Sequence, residues 1–260
     1  MPNLLNLKNI YKKFNQNEID EVEVFNNFSL SIEEGEFVSI IGSNGSGKTT
    51  LLNIITGNVE VDAGEIYLKD EKINGLKEYL RSRKIGRVFQ DPQLGTAPEM
   101  TIAENLALAE NKGSNYGLSF AITKKKLNSY KELLKTLNLG LEEKVNVKVK
   151  SLSGGERQAL SLLMVTMQPI DLLLLDEHTA ALDPKTSKVI MDLTDKIVKS
   201  KHITTLMVTH NLRFATDYGT RLLMFNKGEV VIDIKDKEKE NTKVEDLLKV
   251  FNEISIECGN

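Results

Sequence analysis

The chain has a single cysteine, Cys258. One thiol excludes an internal disulfide and suits a reducing compartment, and in a C-terminal tail it reads as incidental. No apolar run approaches the ~18 residues needed to cross a bilayer. A basic excess is missing too: 34 Lys and Arg stand against 37 Asp and Glu, a formal net charge of −3, which weighs against a nucleic-acid binder while leaving room for a local basic patch. The opening Met1-Pro2-Asn3-Leu4-Leu5-Asn6-Leu7-Lys8 lacks the charged-then-apolar build of a signal peptide. There is no internal repeat and no low-complexity segment. These absences leave a soluble, cytosolic protein with no nucleic-acid partner, whose membrane role must come through another protein. At 260 residues, 40% hydrophobic, it can fold as one large α/β domain or two small ones and bury a substantial core.

What is present is organised around Gly42-Ser43-Asn44-Gly45-Ser46-Gly47-Lys48-Thr49-Thr50. An apolar run, Phe37–Ile41, precedes it and a helix-like stretch, Leu51–Ile55, follows. That is the strand, loop and helix context which the phosphate-loop pattern G-x-x-x-x-G-K-[ST] requires. Glycines let backbone N–H groups turn inward around an anion, and the helix adds its positive N-terminal end. Lys48 is placed to reach the β- and γ-phosphates and the Thr49 hydroxyl to ligate Mg²⁺. A plain strand-to-helix turn is the rival, and Lys-Thr in that context weighs heavily against it. The chain is expected to bind a nucleoside triphosphate.

Along the chain, Leu5, Leu7 and Ile10 predict a first strand followed by a polar loop holding Phe14. Alternation through Phe28, Leu30 and Ile32 predicts a second strand. Glu65–Leu68 and Ile85–Phe89 read as further strands. Between Asp91 and Pro169 the texture turns helical: Thr101 and Glu104 form a capping box, Thr123 caps a helix bearing Leu127, Tyr130, Leu133, Leu134 and Leu137, and a third helix runs from about Glu156. Lys124-Lys125-Lys126 reads as a solvated face. The α/β pattern resumes with Leu172–Leu175, a continuous apolar run suited to a parallel strand covered on both faces. A helix from Pro184 to about Lys199, a strand at Thr204–Thr209, and a hairpin about Asn226-Lys227-Gly228-Glu229 follow. Lys235–Lys243 reads as a charged connector and Val244–Phe251 as a short amphipathic helix.

Asp176 and Glu177 close the Leu172–Leu175 run, at the carboxyl edge where open α/β sheets place ligands. Asp176 suits Mg²⁺ held through water, and Glu177 suits the polarisation of an attacking water. Such a pair alone is a weak signal; behind a phosphate loop it is a strong one. Leu152-Ser153-Gly154-Gly155-Glu156-Arg157-Gln158 is the second motif. Ser153 and Glu156 make a capping box, which leaves two glycines in a first turn, each costing roughly 1 kcal/mol against alanine. Glycines there point to a helix N-terminus that approaches a second anion. With one nucleotide per phosphate loop, that anion is expected on a different subunit, in a dimer.

Together, Gly42–Thr50, Leu152–Gln158, Leu172–Glu177, Gln90 and His210 resemble the ATP-binding subunit of an ABC transporter over nearly the whole chain. The resemblance implies a P-loop (RecA-like) α/β core with an antiparallel β subdomain and an inserted helical subdomain. The bounds are residues 4–258 as one nucleotide-binding domain, with core 1–91 and 168–236, helical insert 92–167 and tail 237–260. It also implies ATP and Mg²⁺, and a head-to-tail homodimer in which Ser153, Gly154 and Gly155 meet the γ-phosphate on the partner's loop. Gln90 matches the glutamine that touches Mg²⁺ and the lytic water, Asp183 the loop crossing the dimer interface, His210 the switch histidine, and Phe14 the aromatic under adenine. Helix capping by Asp183 and core packing of Phe14 are the structural rivals. The partners implied are integral membrane permease subunits and, through them, a substrate-binding lipoprotein, at the cytoplasmic face of the bacterial membrane.

One departure from the family pattern is His178, where proline usually follows the glutamate. That run, with Phe89–Ala97 and Thr204–Asn211, resembles the branch of tryptophan/tyrosine-type (aromatic amino-acid) uptake systems. An exporter or lipoprotein-release ATPase shares the motifs and stays open as an alternative. DNA-repair members of the family carry a long coiled coil and translation factors two cassettes; this chain has neither. A non-enzymatic binding module is disfavoured because every catalytic position is filled.

Overall fold

Two sheets carry the fold. The computed structural model describes residues 2–15, 20–113 and 122–257, the last four as backbone alone; Cys258 lies outside the described residues. The first sheet is antiparallel, in the order β2 (Val22–Glu33), β1 (Asn3–Phe14), β4 (Ala63–Leu68), β5 (Glu71–Lys72). The second has the order β10 (Glu229–Lys235), β9 (Arg221–Asn226), β3 (Phe37–Gly42), β8 (Thr204–Val208), β7 (Leu172–Asp176), β6 (Ile85–Val88). Its strands are parallel except β10, which returns antiparallel on β9. The α/β fold with an antiparallel and a largely parallel sheet is therefore as expected.

Parallel pairing puts the carboxyl ends of neighbouring strands at one edge. Ile40 pairs with Val208, and Val208 with Asp176. Residues that follow β3, β7 and β8 in sequence therefore converge there, although they are far apart along the chain.

The helices are α1 (Lys48–Thr56), α2 (Glu78–Arg81), α3 (Ile102–Glu110), α4 (Lys124–Lys135), α5 (Gly154–Thr166), α6 (Pro184–Lys201), α7 (Leu212–Asp217), α8 (Asp236–Asn241) and α9 (Val244–Glu257). Both capping boxes form: Glu104 N–H donates to Thr101 Oγ1 and Thr101 N–H to a Glu104 carboxylate oxygen, and Ser153 and Glu156 repeat the exchange. Thr123 accepts from Lys126 N–H at the start of α4. The tail helix α9 buries Leu247 against Ile41, Ala215, Leu222 and Met224.

β7 lies between two cores. Leu172 and Leu174 pack with α1 and the antiparallel sheet, whereas Leu173 and Leu175 pack with the helices inserted between β6 and β7. The period-two side-chain alternation of a strand produces that division, and burial on both faces explains why its sequence is unbroken leucine.

Some local expectations are corrected. Phe14 is the last residue of β1, paired with Val22, and not part of a loop. The strand expected at Glu65–Leu68 begins already at Ala63, since β4 pairs with the bulged end of β1. The charged connector after Lys235 contains α8, and the tail helix continues to Glu257. In each case long-range pairing or packing extends an element past the point where local composition turns polar.

Candidate active site

β3 is buried along its whole length and ends at Gly42. A Cβ there would fall 2.3 Å from the Phe225 carbonyl oxygen of β9 and 2.8 Å from Ser46 Oγ. Only glycine lets the loop leave the sheet so close to its neighbour. The loop Ser43–Gly47 then enters α1. Lys48 is only 5% exposed, and its ammonium donates to the Gly42 and Ser43 carbonyls at 2.9 and 2.8 Å and to Ser46 Oγ at 3.4 Å. Burial draws its pKa below the usual lysine range, and the Glu177 carboxylate opposes that pull. Thr49 is exposed and Thr50 half-buried at the start of the helix; Ser43, Asn44 and Gly45 are exposed.

At the end of β7 two neighbouring carboxylates have separate partners. Arg87 of β6 donates to Asp176 Oδ2 at 2.6 Å and to Asn53 Oδ1 of α1 at 2.8 Å, with its guanidinium over the Phe89 ring at 4.9 Å. Glu177 Oε1 lies 2.6 Å from His210 Nε2 at the end of β8. The edge therefore brings together Gly42–Thr50, Asp176, Glu177 and His210. Gln90, just after β6, is exposed.

The Ser153 segment stands apart: no hydrogen bond among the described residues joins it to Gly42–Thr50. Ser153 and Gly154 are exposed at the N-terminus of α5. Gly155 is buried, and a Cβ on it would lie 2.3 Å from Thr186 Cγ2 of α6. Helix packing within the chain thus accounts for one of the two glycines, a cause that sequence alone did not offer. Asp183 caps α6 by accepting from Lys185 and Thr186 N–H, both at 3.1 Å; these bonds, the Thr186 side chain foremost, hold its pKa below the ordinary carboxylate range. Phe14 is 36% exposed, with the Lys12 ammonium 5.1 Å from its ring centre, which removes core packing as its rival role. His178 is buried; desolvation pushes its pKa down to about 4, so the ring is neutral.

Three residues escaped the sequence reading. Arg87 is a charge in an otherwise apolar strand, a pattern that demands a partner, and that was the available signal. Arg81 is buried and donates to the Ile54, Ile55, Leu76 and Asn74 carbonyls, capping the C-terminal end of α1. Thr194, deep in α6, meets His178. Nothing in their local sequence marks the last two.

The residues present fit a magnesium nucleotide. The Thr49 hydroxyl, the Asp176 carboxylate and the Gln90 amide are the hard oxygen donors that would hold the ion. Among the described residues no group of three or more His, Cys, Asp or Glu is arranged to hold a metal ion by itself, so an ion held here would take its remaining ligands from phosphate and water. Among the same residues no helix is long and apolar enough to cross a membrane.

A phosphate loop ending a buried parallel strand, with carboxylates at the end of β7, one strand beyond the intervening β8, and a helical insert between β6 and β7, defines a P-loop nucleoside triphosphatase of the ATP-binding cassette class. Residues 25–180 match the ABC transporter family. The chain is 53% identical over 248 residues to a tyrosine transport ATP-binding protein of Clostridioides difficile (strain R20291), covering 95% of this chain and 98% of that one. It is 33% identical over 259 residues to the methionine import ATP-binding protein MetN of Clostridioides difficile (strain 630), covering 97% and 75%. Among solved structures, it resembles the dimeric cassette MJ0796 in a post-hydrolysis state bound to ADP and Pi (TM-score 0.74, 33% identity, 89% of this chain and 98% of that one). The ADP conformation of MJ1267, a cassette of an ABC transporter, gives a TM-score of 0.80 at 25% identity, covering 100% of both chains. The chain belongs to the ABC transporter family, as its ATP-binding, ATP-hydrolysing component.

Proposed function

We propose that this chain is the motor subunit of an importer for an aromatic amino acid of the tyrosine or tryptophan kind, working as a homodimer at the cytoplasmic face of the bacterial membrane. The observation that carries the reading is the convergence of Lys48, Asp176, Glu177 and His210 on one sheet edge, with the Ser153 helix start exposed elsewhere. The cargo assignment rests on similarity to the tyrosine transport protein.

Each copy holds ATP on Gly42–Thr50, with adenine against Phe14. The γ-phosphate is completed by Ser153, Gly154 and Gly155 of the second copy, whose Asp183 loop lies at the same junction. Mg²⁺ supplies charge stabilisation on the phosphate oxygens when bound, and Thr49, Asp176 and Gln90 would hold it. Lys48 opposes charge that develops on the transferring phosphoryl group. Glu177 accepts a hydrogen bond from the attacking water and His210 keeps that carboxylate oriented. As the water oxygen bonds to γ-phosphorus, the bond to the β–γ bridging oxygen breaks, leaving ADP and phosphate.

The work is done on permease subunits. A cavity of about 740 Å³ opens beside the segment after Gln90, lined by Leu94, Thr96, Leu108, Met164, Val165 and Ile170 among others. Leu94 is 70% exposed, an apolar surface that calls for a partner. We assign it to a cytoplasmic helix of the permease, which in turn works with a substrate-binding lipoprotein. The division into core 1–91 and 168–236, helical insert 92–167 and tail 237–260 lets that helix shift the insert against the core.

The test is light scattering on purified Glu177→Gln with and without Mg·ATP, alongside its ATPase rate. Monomer converting to dimer only with ATP, and turnover reduced on the order of 10²–10⁴-fold, supports the reading. Wild-type turnover in Glu177→Gln would remove Glu177 from the mechanism.

A further inference from the structure

Glu177 has φ +47°, in the left-handed region. That conformation is costly for a residue with a Cβ and persists only where the surroundings over-determine it. On one side the determinant is backbone: Glu177 N–H donates to the Val208 carbonyl at 3.0 Å. On the other side it is the next residue. The His178 ring is 2% exposed, and its Nε2 lies 3.3 Å from Thr194 Oγ1. The Thr194 hydroxyl already donates to the Ile190 carbonyl at 2.7 Å. Its oxygen is therefore the acceptor, and the ring donates from Nε2.

A second tie runs parallel to the first. Ser187 Oγ donates to the Thr179 carbonyl at 3.1 Å and lies 3.3 Å from that of Leu182. Ser187 and Thr194 are two turns apart on the same face of α6. The segment after β7 is thus strapped to α6 at two points, and the first of them adjoins the carboxylate.

We propose that His178 is a positioning residue for ATP hydrolysis: by donating to Thr194 it fixes the backbone turn that aims Glu177 across to His210. The inference rests on the reading of Glu177 as the water-orienting carboxylate. It also gives His178 a task that a side chain merely filling space does not have.

Steady-state ATPase of the full-length chain distinguishes the two. Thr194→Val keeps the shape of the residue and removes the acceptor. A 1 Å misplacement of a reacting group costs on the order of 10²-fold, so kcat is expected to fall about 10- to 100-fold with the KM for ATP within about twofold. Thr194→Ser, which restores the hydroxyl, is expected to stay within about twofold of wild type. His178→Leu, which keeps an apolar side chain in the site, is the second variant should Thr194→Val fold poorly. Combining the two changes is expected to add nothing to either, since they break one contact. A folded Thr194→Val or His178→Leu protein with wild-type kcat overturns the proposal. Glu177→Gln run in parallel separates the failures. If it is inactive while Thr194→Val is normal, only the positioning role falls; if it turns over normally, the assignment of Glu177 falls and takes this role with it.

Discussion

Arg87 and Asp176 form a partly buried, hydrogen-bonded ion pair at 2.6 Å, with side chains 11% and 14% exposed, and the same guanidinium reaches Asn53 on the phosphate-loop helix. One side chain therefore ties β6, β7 and α1 together at the edge where the chemistry is placed. Removing one partner of such a pair leaves the other charge uncompensated, at a cost of about 3–5 kcal/mol in a fully buried setting. Arg87→Met is expected to lose roughly 2–4 kcal/mol in urea unfolding. Arg87→Lys, which keeps the charge but not the two-pronged reach, is expected to lose less. Equal losses for both would mean that the charge contributes nothing.

Gly155 separates packing from anion binding. Alanine is the better helix former by roughly 1 kcal/mol, yet its Cβ would sit 2.3 Å from Thr186 Cγ2. Overpacking of this kind costs about 1–3 kcal/mol, so Gly155→Ala is expected to be destabilised in thermal unfolding. Thr186→Ser removes the offending methyl and should restore stability in the double variant. ATP-dependent dimerisation of that double variant then reports on the anion alone: recovery means that Gly155 serves packing only.

Phe14 lies exposed at the end of β1, so its removal is expected to change stability by less than about 0.5 kcal/mol. Aromatic stacking on a base is worth about 1–3 kcal/mol. Phe14→Ala is therefore expected to raise the Kd for ATP about five- to a hundredfold, measured by titration calorimetry. An unchanged Kd assigns adenine to another surface.

Lys239 is 3% exposed, and its ammonium donates to the Thr216 and Tyr218 carbonyls at 2.8 and 2.6 Å, capping α7. Burial pulls its pKa down to about 8, against the opposing charges of Asp217, Glu240 and Asp195. Because the folded pKa lies below the unfolded value, the unfolded chain binds more protons between pH 8 and about 10.5, and stability contributed by this residue rises with pH across that window. Relative to Lys239→Met, the wild type should gain up to about 3 kcal/mol between those limits. A flat difference in stability from pH 8 to 10 would show that the lysine sits charged in both states.

Much of this was legible because it is local. The glycine loop, both capping boxes and the Lys227-Gly228 hairpin are set by residues within a few positions of one another. The unbroken leucines of β7 gave away a strand covered on both faces. Arg81, Arg87 and Thr194 were not legible, since their partners come from 5 to 89 positions away and depend on which strands and helices become neighbours. Gly155 was legible as an oddity, but its cause, a methyl on α6, was not. Phe14 was recognised as notable and misplaced by a strand that outlasts its apolar residues.

The alternation of leucines along β7 has a mechanical consequence. Leu172 and Leu174 are gripped from one side and Leu173 and Leu175 from the other, by the cores on the two faces of the sheet. Close-packed interiors transmit strain because they have little room to compress. The strand is therefore held in common by both cores, and strain in either one bears on five residues that end at Asp176. Force applied to the inserted helices has a short route to the two carboxylates.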